Sequence, residues 1–170
     1  LSISFNLNNL NKKGSFESSS SPGPVTPGQR GPDVQLFRPG ANEATRLHKE
    51  TANKARFHVV VFVGEPDHTT ALLKEFGAVF EASEIFSNVQ LPISWLTIAA
   101  KNGPSAFELL EVTPFGKIFY DPKHTAHSRY GINTESGVIV LRPDGWVGTA
   151  TVLKAEAVDE LELYLEICSF

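Results

Sequence analysis

The chain holds a single cysteine in 170 residues, Cys168, close to the C-terminus. A lone cysteine cannot close an internal disulfide, and without a second one there is no thiolate pair for zinc. That usage fits an intracellular protein, and a cytoplasmic location is expected. A reactive thiol needs an electropositive niche, which the neighbours Glu166 and Ile167 do not provide, so Cys168 reads as a packing residue. No apolar run approaches the roughly 20 residues of a membrane span, so no membrane partner is expected. The start, Leu1-Ser2-Ile3-Ser4-Phe5, has no basic flank and is broken by Asn6, Asn8 and Asn9, unlike a signal peptide. A first residue that is Leu and not Met suggests that something was removed upstream. Positive charge is thin: 15 Lys and Arg stand against 19 Asp and Glu, for a net charge of -4. The longest basic cluster is Lys12-Lys13, so no nucleic-acid face is expected. Glycine-rich nucleotide loops and the Gly-x-Ser-x-Gly elbow are also missing.

What is there divides into three parts. Residues 1–13 alternate apolar residues with Asn and read as an N-terminal arm. Residues 14–32, with Ser18–Ser21 and Pro22-Gly23-Pro24, read as a Ser/Pro/Gly-rich linker that buries little apolar surface. Residues 33–170 carry the folded body. Asp33–Arg38 predicts a strand ending at Pro39-Gly40, and Glu43–Lys54 a second short strand or a helical turn. His58–Val63 is an unbroken apolar run, the mark of a central strand covered on both faces. Asp67 is the expected N-cap of a helix over about 68–82, with Leu72, Leu73, Phe76, Val79 and Phe80 on its apolar stripe. Gly77 inside it either costs about 1 kcal/mol against Ala or marks close packing.

Trp95–Ala99 predicts a strand, Ala106–Val112 a short helix, and Phe115–Tyr120 another extended piece. Thr125–Tyr130 predicts a helical turn closed by Gly131. Val138–Leu141, the turn Arg142-Pro143-Asp144-Gly145 and Trp146-Val147-Gly148 predict a hairpin, with Pro fixing φ and Gly taking positive φ. Ala155–Ile167 is the closing helix, with Val158, Leu161, Tyr164, Leu165 and Cys168 on one face. A βαβ half followed by a ββα half is the thioredoxin plan: an α/β sandwich with a central mixed sheet flanked by helices.

A redox thioredoxin places Cys-x-x-Cys at the first helix start, where the dipole stabilises the thiolate. This chain reads Gly64-Glu65-Pro66-Asp67-His68 there. His124 and His127, with Asp121 upstream, are the one spacing that could bind a metal. They lack a third ligand, and turn or packing roles explain them better. His58 opens a buried strand and reads as a hydrogen-bonded core histidine. Arg142 and Asp144 read as an ion pair across the turn, against the alternative of Arg142 holding a partner carboxylate or a phosphate. No catalytic, cofactor-binding or metal residue is therefore assigned.

Several segments resemble one family, the C-terminal thioredoxin-like domain of phenol 2-monooxygenase-type flavoproteins. They are Pro27-Gly28-Gln29-Arg30-Gly31-Pro32-Asp33-Val34, Arg46-Leu47, Phe57–Gly64, and Tyr120-Asp121-Pro122 followed by Ala126-His127 and Tyr130-Gly131-Ile132. Val140–Gly148, with its Arg142-Pro143-Asp144-Gly145-Trp146-Val147-Gly148, is the most specific. Related hydroxylases outside the phenol group tend to end this segment Ala-Trp-Arg, whereas Val147-Gly148 is similar to the phenol type. Asn9-Leu10-Asn11 resembles the tail of a preceding flavin domain, and the Ser-rich insert at 15–24 departs from the family pattern.

The resemblance implies a non-catalytic dimerisation and structural domain, and the chain alone is not expected to be an enzyme. It implies structural roles for the signature residues Asp121, His127, Tyr130, Gly131, Arg142, Pro143, Asp144 and Gly145. The parent would be an FAD- and NADPH-dependent aromatic monooxygenase whose flavin and substrate residues lie upstream. Its flavin domain and a second copy of the chain are the expected partners. Pairing calls for an exposed apolar patch, and Phe5, Leu7 and Phe37 are the candidates. The alternatives are a standalone thioredoxin-fold binding module or a small redox enzyme.

Overall fold

A run such as His58–Val63 offers no polar position to water, so it needs cover on both faces. The computed structural model, which describes residues 25–40, 43–52, 55–88, 91–103, 105–132 and 136–169, gives it that cover. In chain order the strands are β1 (Gln35–Phe37), β2 (Ala44–Arg46), β3 (Phe57–Gly64), β4 (Ile93–Ala99), β5 (Lys117–Tyr120), β6 (Gly137–Leu141) and β7 (Val147–Val152). The helices are α1 (Leu47–Glu50), α2 (Pro66–Ala82), α3 (Glu84–Asn88), α4 (Ala106–Leu110), α5 (Thr125–Arg129) and α6 (Ala157–Cys168).

The strands form one mixed sheet in the order β2-β1-β5-β4-β3-β6-β7. β3, β4 and β5 run parallel, each step crossing over through a helix. β6 and β7 close one side antiparallel, and the β1–β2 hairpin extends the other. Within the expected segment 43–54, the described residues supply both of its readings, a strand at Ala44–Arg46 and then a helical turn at Leu47–Glu50.

Successive side chains of a strand point to opposite faces, and β3 shows the result. Val59, Val61 and Val63 join Leu73 and Phe76 of α2, Leu110 of α4, and Val158, Leu161, Tyr164 and Leu165 of α6. Val60 and Phe62 join Leu36, Leu47, Ala126, Tyr130, Ile132 and the incoming Val25 and Val34. All of β3 from Val59 to Val63 is fully buried.

Two expectations need correction. α2 begins at Pro66, with Glu65 at the cap position, and Asp67 lies inside the first turn. Proline at the first helical position has its φ preset and no N–H to leave unsatisfied, so it starts the helix ahead of the carboxylate. Leu72 and Val79 are more than a third exposed, at 36% and 37%, while Leu73 and Phe76 are buried. The five-residue apolar stripe is wider than the strip of helix the sheet covers.

At residues 25–32, which the sequence places at the end of the linker, the chain lies along the start of β7. Gly28 N–H donates to Val147 O at 2.9 Å, Val147 N–H to Gln29 O at 2.8 Å, and Gly31 N–H to Gly145 O at 3.0 Å. The arm at 1–13 and the rest of the linker lie outside the described residues.

A Cβ added at Gly77 would meet Phe115 Cζ at 3.6 Å, ordinary contact, so close packing does not require glycine there. Gly77→Ala is expected to stabilise the protein by about 0.5–1 kcal/mol, read as a raised urea midpoint with unchanged slope. Glu50 ties α1 to the first hairpin, accepting from Thr45 Oγ1 at 2.7 Å and from Arg38 at 2.6 Å. Burial alone would raise its pKa, but these hydrogen bonds outweigh it and hold the carboxyl below its ordinary value. A lowered folded pKa gives stability that is whole above the ordinary value of 4.5 and is lost as pH falls below it. Glu50→Gln is expected to cost about 1–2 kcal/mol near neutrality, with the gap to wild type closing in urea titrations at about pH 3.

Candidate functional site

β3 ends at Gly64, whose φ of +71° turns the chain toward α2. This helix start is where the thioredoxin plan puts a thiolate. Glu65, Pro66, Asp67 and His68 occupy it instead. Asp67 accepts a 2.8 Å bond from Lys101, which holds its carboxyl below the ordinary value. The Glu65 carboxylate lies 3.7 Å from His68 Nε2 and 3.7 Å from His124 Nε2. Cys168 sits at the far end of the chain on α6, half-buried against the core.

His127 belongs to a buried pair rather than to a ligand set with His124. Its Nε2 accepts from the Gly64 N–H at 3.1 Å, so its Nδ1 carries the proton and donates to Asp121 Oδ2 at 2.8 Å. The Asp121 carboxylate also accepts the N–H groups of Thr125 and His127, each at 2.9 Å, and so seats the first turn of α5. Both side chains are almost wholly buried. The pair therefore pins the end of the central strand to α5. Neither atom that would attack or bind is open to solvent. Among the described residues no group of three or more His, Cys, Asp or Glu could hold a metal ion. His58 Nδ1 lies 2.6 Å from Ser94 Oγ across the β3–β4 pairing, as a core histidine would.

The remaining signature residues gather around the β6–β7 turn. Gly145 N–H donates to Arg142 O at 2.9 Å, and Gly145 takes φ +80°. Arg142 pairs with Asp144 at 2.5 Å, the ion pair expected from the spacing. Residues 28–31 lie across this turn, and Tyr130, fully buried, donates to Pro32 O at 2.9 Å. Burial pushes the Tyr130 phenol up, so it stays a donor. Gly131 closes α5 with φ +74°, as read from the sequence. Gly148 has no room for a side chain, because a Cβ there would run into the Tyr164 ring of α6.

Two surface features remain. An open groove of about 520 Å³ lies between α2 and the Val112–Gly116 loop. Phe80, Trp95 and Phe115 line it, with ring centroids 4.8–5.8 Å apart. Lys74 and Glu81 are its only charged residues, so it offers no acid–base or nucleophile constellation. The exposed large apolar side chains among the described residues are Leu72, Val79, Phe107 and Leu163. Phe37 is not one of them: it is half-buried against the core on the α2 side of the sheet. Phe5 and Leu7 lie outside the described residues. Sequence periodicity placed Leu72 and Val79 in the core, and only the width of the covered strip reveals them as surface.

Against known proteins, residues 3–170 match the family described as phenol hydroxylase, C-terminal dimerisation domain. No curated protein matches. Solved structures with similar folds include Mycobacterium tuberculosis AhpC, at 15% identity and a TM-score of 0.63, with 85% of this chain and 93% of that one covered. A putative thiol:disulfide interchange protein DsbE from Chlorobium tepidum aligns at 16% identity and a TM-score of 0.61, covering 83% and 96%. Xanthomonas campestris peroxiredoxin Q aligns at 14% and 0.60, covering 81% and 92%. At such identities the likeness is one of fold, the thioredoxin fold.

Asp121→Ala removes the acceptor of three hydrogen bonds and leaves the His127 ring N–H buried without a partner. It is expected to cost about 3 kcal/mol in urea unfolding. Asp144→Ala, on the exposed turn, is expected to stay within about 1 kcal/mol of wild type.

Proposed function

The chain belongs to the phenol hydroxylase C-terminal dimerisation-domain family, and on that premise we propose that it is the non-catalytic pairing module of an FAD-dependent phenol-type monooxygenase. It would work as one half of a homodimer and carry the flavin domain of the same parent protein. The observation that carries the reading is the helix start after β3. The scaffold offers one place for chemistry there, and this chain fills it with Pro66 and two carboxylates.

The same segment does not fit a flavin or a nicotinamide dinucleotide. A pyrophosphate needs free backbone N–H groups and glycine at a helix start. Pro66 removes one N–H, His68 N–H is spent on Glu65 O at 2.9 Å, and Glu65 and Asp67 would repel the phosphates. FAD and NADPH chemistry is accordingly assigned to the parent's upstream part. The signature residues Asp121, His127, Tyr130, Gly131 and Arg142–Gly145 are assigned to holding the fold.

Light scattering on the purified chain is expected to give twice its mass of 18.6 kDa, falling toward one copy on dilution. Cys168→Ser is expected to leave that mass unchanged. A strictly monomeric chain at high concentration would remove the pairing role. Turnover of peroxide or disulfide that disappears in Cys168→Ser would replace it with a redox enzyme.

A further inference from the structure

The four exposed large apolar side chains among the described residues sit on one side of the sheet. Leu72 and Val79 are on α2, Phe107 on α4 and Leu163 on α6. These are the three helices whose buried residues fill the core on that side. The opposite layer, built from residues 25–34, α1 and α5, contributes none. Phe107 and Leu163 are 64% and 56% exposed.

The helix period sorts the face into stripes. Leu72, Glu75 and Val79 follow one another at three and four residues on α2. Asp159, Leu163 and Glu166 do so on α6. The end of α2 is tied to α6 by Ser83 Oγ donating to Glu162. Charge on α2 and α6 is predominantly acidic. α2 and α6 hold Asp67, Glu75, Glu81, Asp159, Glu160, Glu162 and Glu166 against one lysine, Lys74, already bonded to Glu111 at 2.8 Å. Glu75, Glu81, Asp159 and Glu166 enter no ion pair among the described residues.

We infer that the outward face of α2, α4 and α6 is the surface on which two copies of this chain pair about a two-fold axis. This rests on the pairing role proposed above and adds where the contact lies. Size supports it. At 1.5 Å per residue the 17, 5 and 12 residues of the three helices are about 25, 8 and 18 Å long. At about 10 Å of width each, their flat footprint is on the order of 500 Å². The accessible area of a corrugated side-chain surface exceeds its footprint, so this approaches the roughly 800 Å² per partner of a stable interface.

A two-fold contact sets like against like, so the carboxylates that alternate with Leu72, Val79 and Leu163 on these helices face their own counterparts in the second copy. Salt then strengthens this dimer instead of weakening it, since screening shortens from about 14 Å at 0.05 M to about 4 Å at 0.5 M.

Analytical ultracentrifugation of the full chain tests both the place and the sign. Wild type is expected to tighten several-fold between about 0.05 M and 0.5 M NaCl. The exposed-site pair Leu72→Asp with Leu163→Asp is expected to weaken pairing at least tenfold while circular dichroism stays native. The pair Glu75→Lys with Glu166→Lys is expected to tighten pairing at low salt and flatten the salt response. Arg129→Glu, exposed on α5 in the opposite layer, is expected to change nothing. A wild-type dimer that survives both aspartates overturns the assignment of this face and leaves the pairing role standing. A dimer that salt dissociates overturns it as well. A wild type that is monomeric at every concentration removes the pairing role itself.

Discussion

Everything in this structure is arranged around a strand that has no solvent side. β3 is buried from Val59 to Val63 on both faces, and it is hydrogen-bonded on one edge to β4 and on the other to β6. A strand in that position must be covered by two layers, and the chain supplies them from different parts of its length. The helices α2, α4 and α6 cover one face. Residues 25–34, α1 and α5 cover the other. The parallel crossover from β3 to β4 through α2 follows from the same need. A parallel partner requires a connection long enough to return, and the returning helix is itself the cover.

The Asp121–His127 pair is where the two ends of this arrangement are joined. Asp121 follows the last residue of β5, and its carboxylate organises the first turn of α5. His127 on that turn reaches back to the backbone of Gly64, the last residue of β3. A fully buried charge is costly unless its acceptor sites are filled. Here three donors converge on the carboxylate, two of them backbone N–H groups. His127 thus joins the end of β3 to the first turn of α5, with both of its ring nitrogens engaged inside the core.

How far the sequence spoke depends on how local each feature is. The His58–Val63 run, the Arg142–Gly145 turn and the periodic face of α6 are written in contiguous residues, and each forms where its chemistry points. The start of α2 was misread by one competing local rule, since a preset proline φ outranks a carboxylate cap one residue later. The Asp121–His127–Gly64 joint was not legible. Two of its members are six residues apart and look like a turn, and the third lies 63 positions away on another strand. The exposure of Leu72 and Val79 was hidden for a related reason. Periodicity tells which residues share a side of a helix, but the neighbours decide how much of that side is covered.

The start of α2 shows how a fold shared with peroxiredoxin Q is built here with no thiol at that helix start. A thiolate at a helix start is stabilised by backbone N–H groups left open to it, and leaving them open withholds stability from the fold. This chain uses the same positions the other way. Proline occupies the first helical position, Asp67 sits where the dipole favours a negative charge, and Lys101 from the loop after β4 ties that carboxylate down. Each substitution of an open group by a satisfied one trades reactivity for rigidity. The start of α2 is held by Pro66 and the Asp67–Lys101 pair, and the exposed large apolar side chains among the described residues lie on α2, α4 and α6.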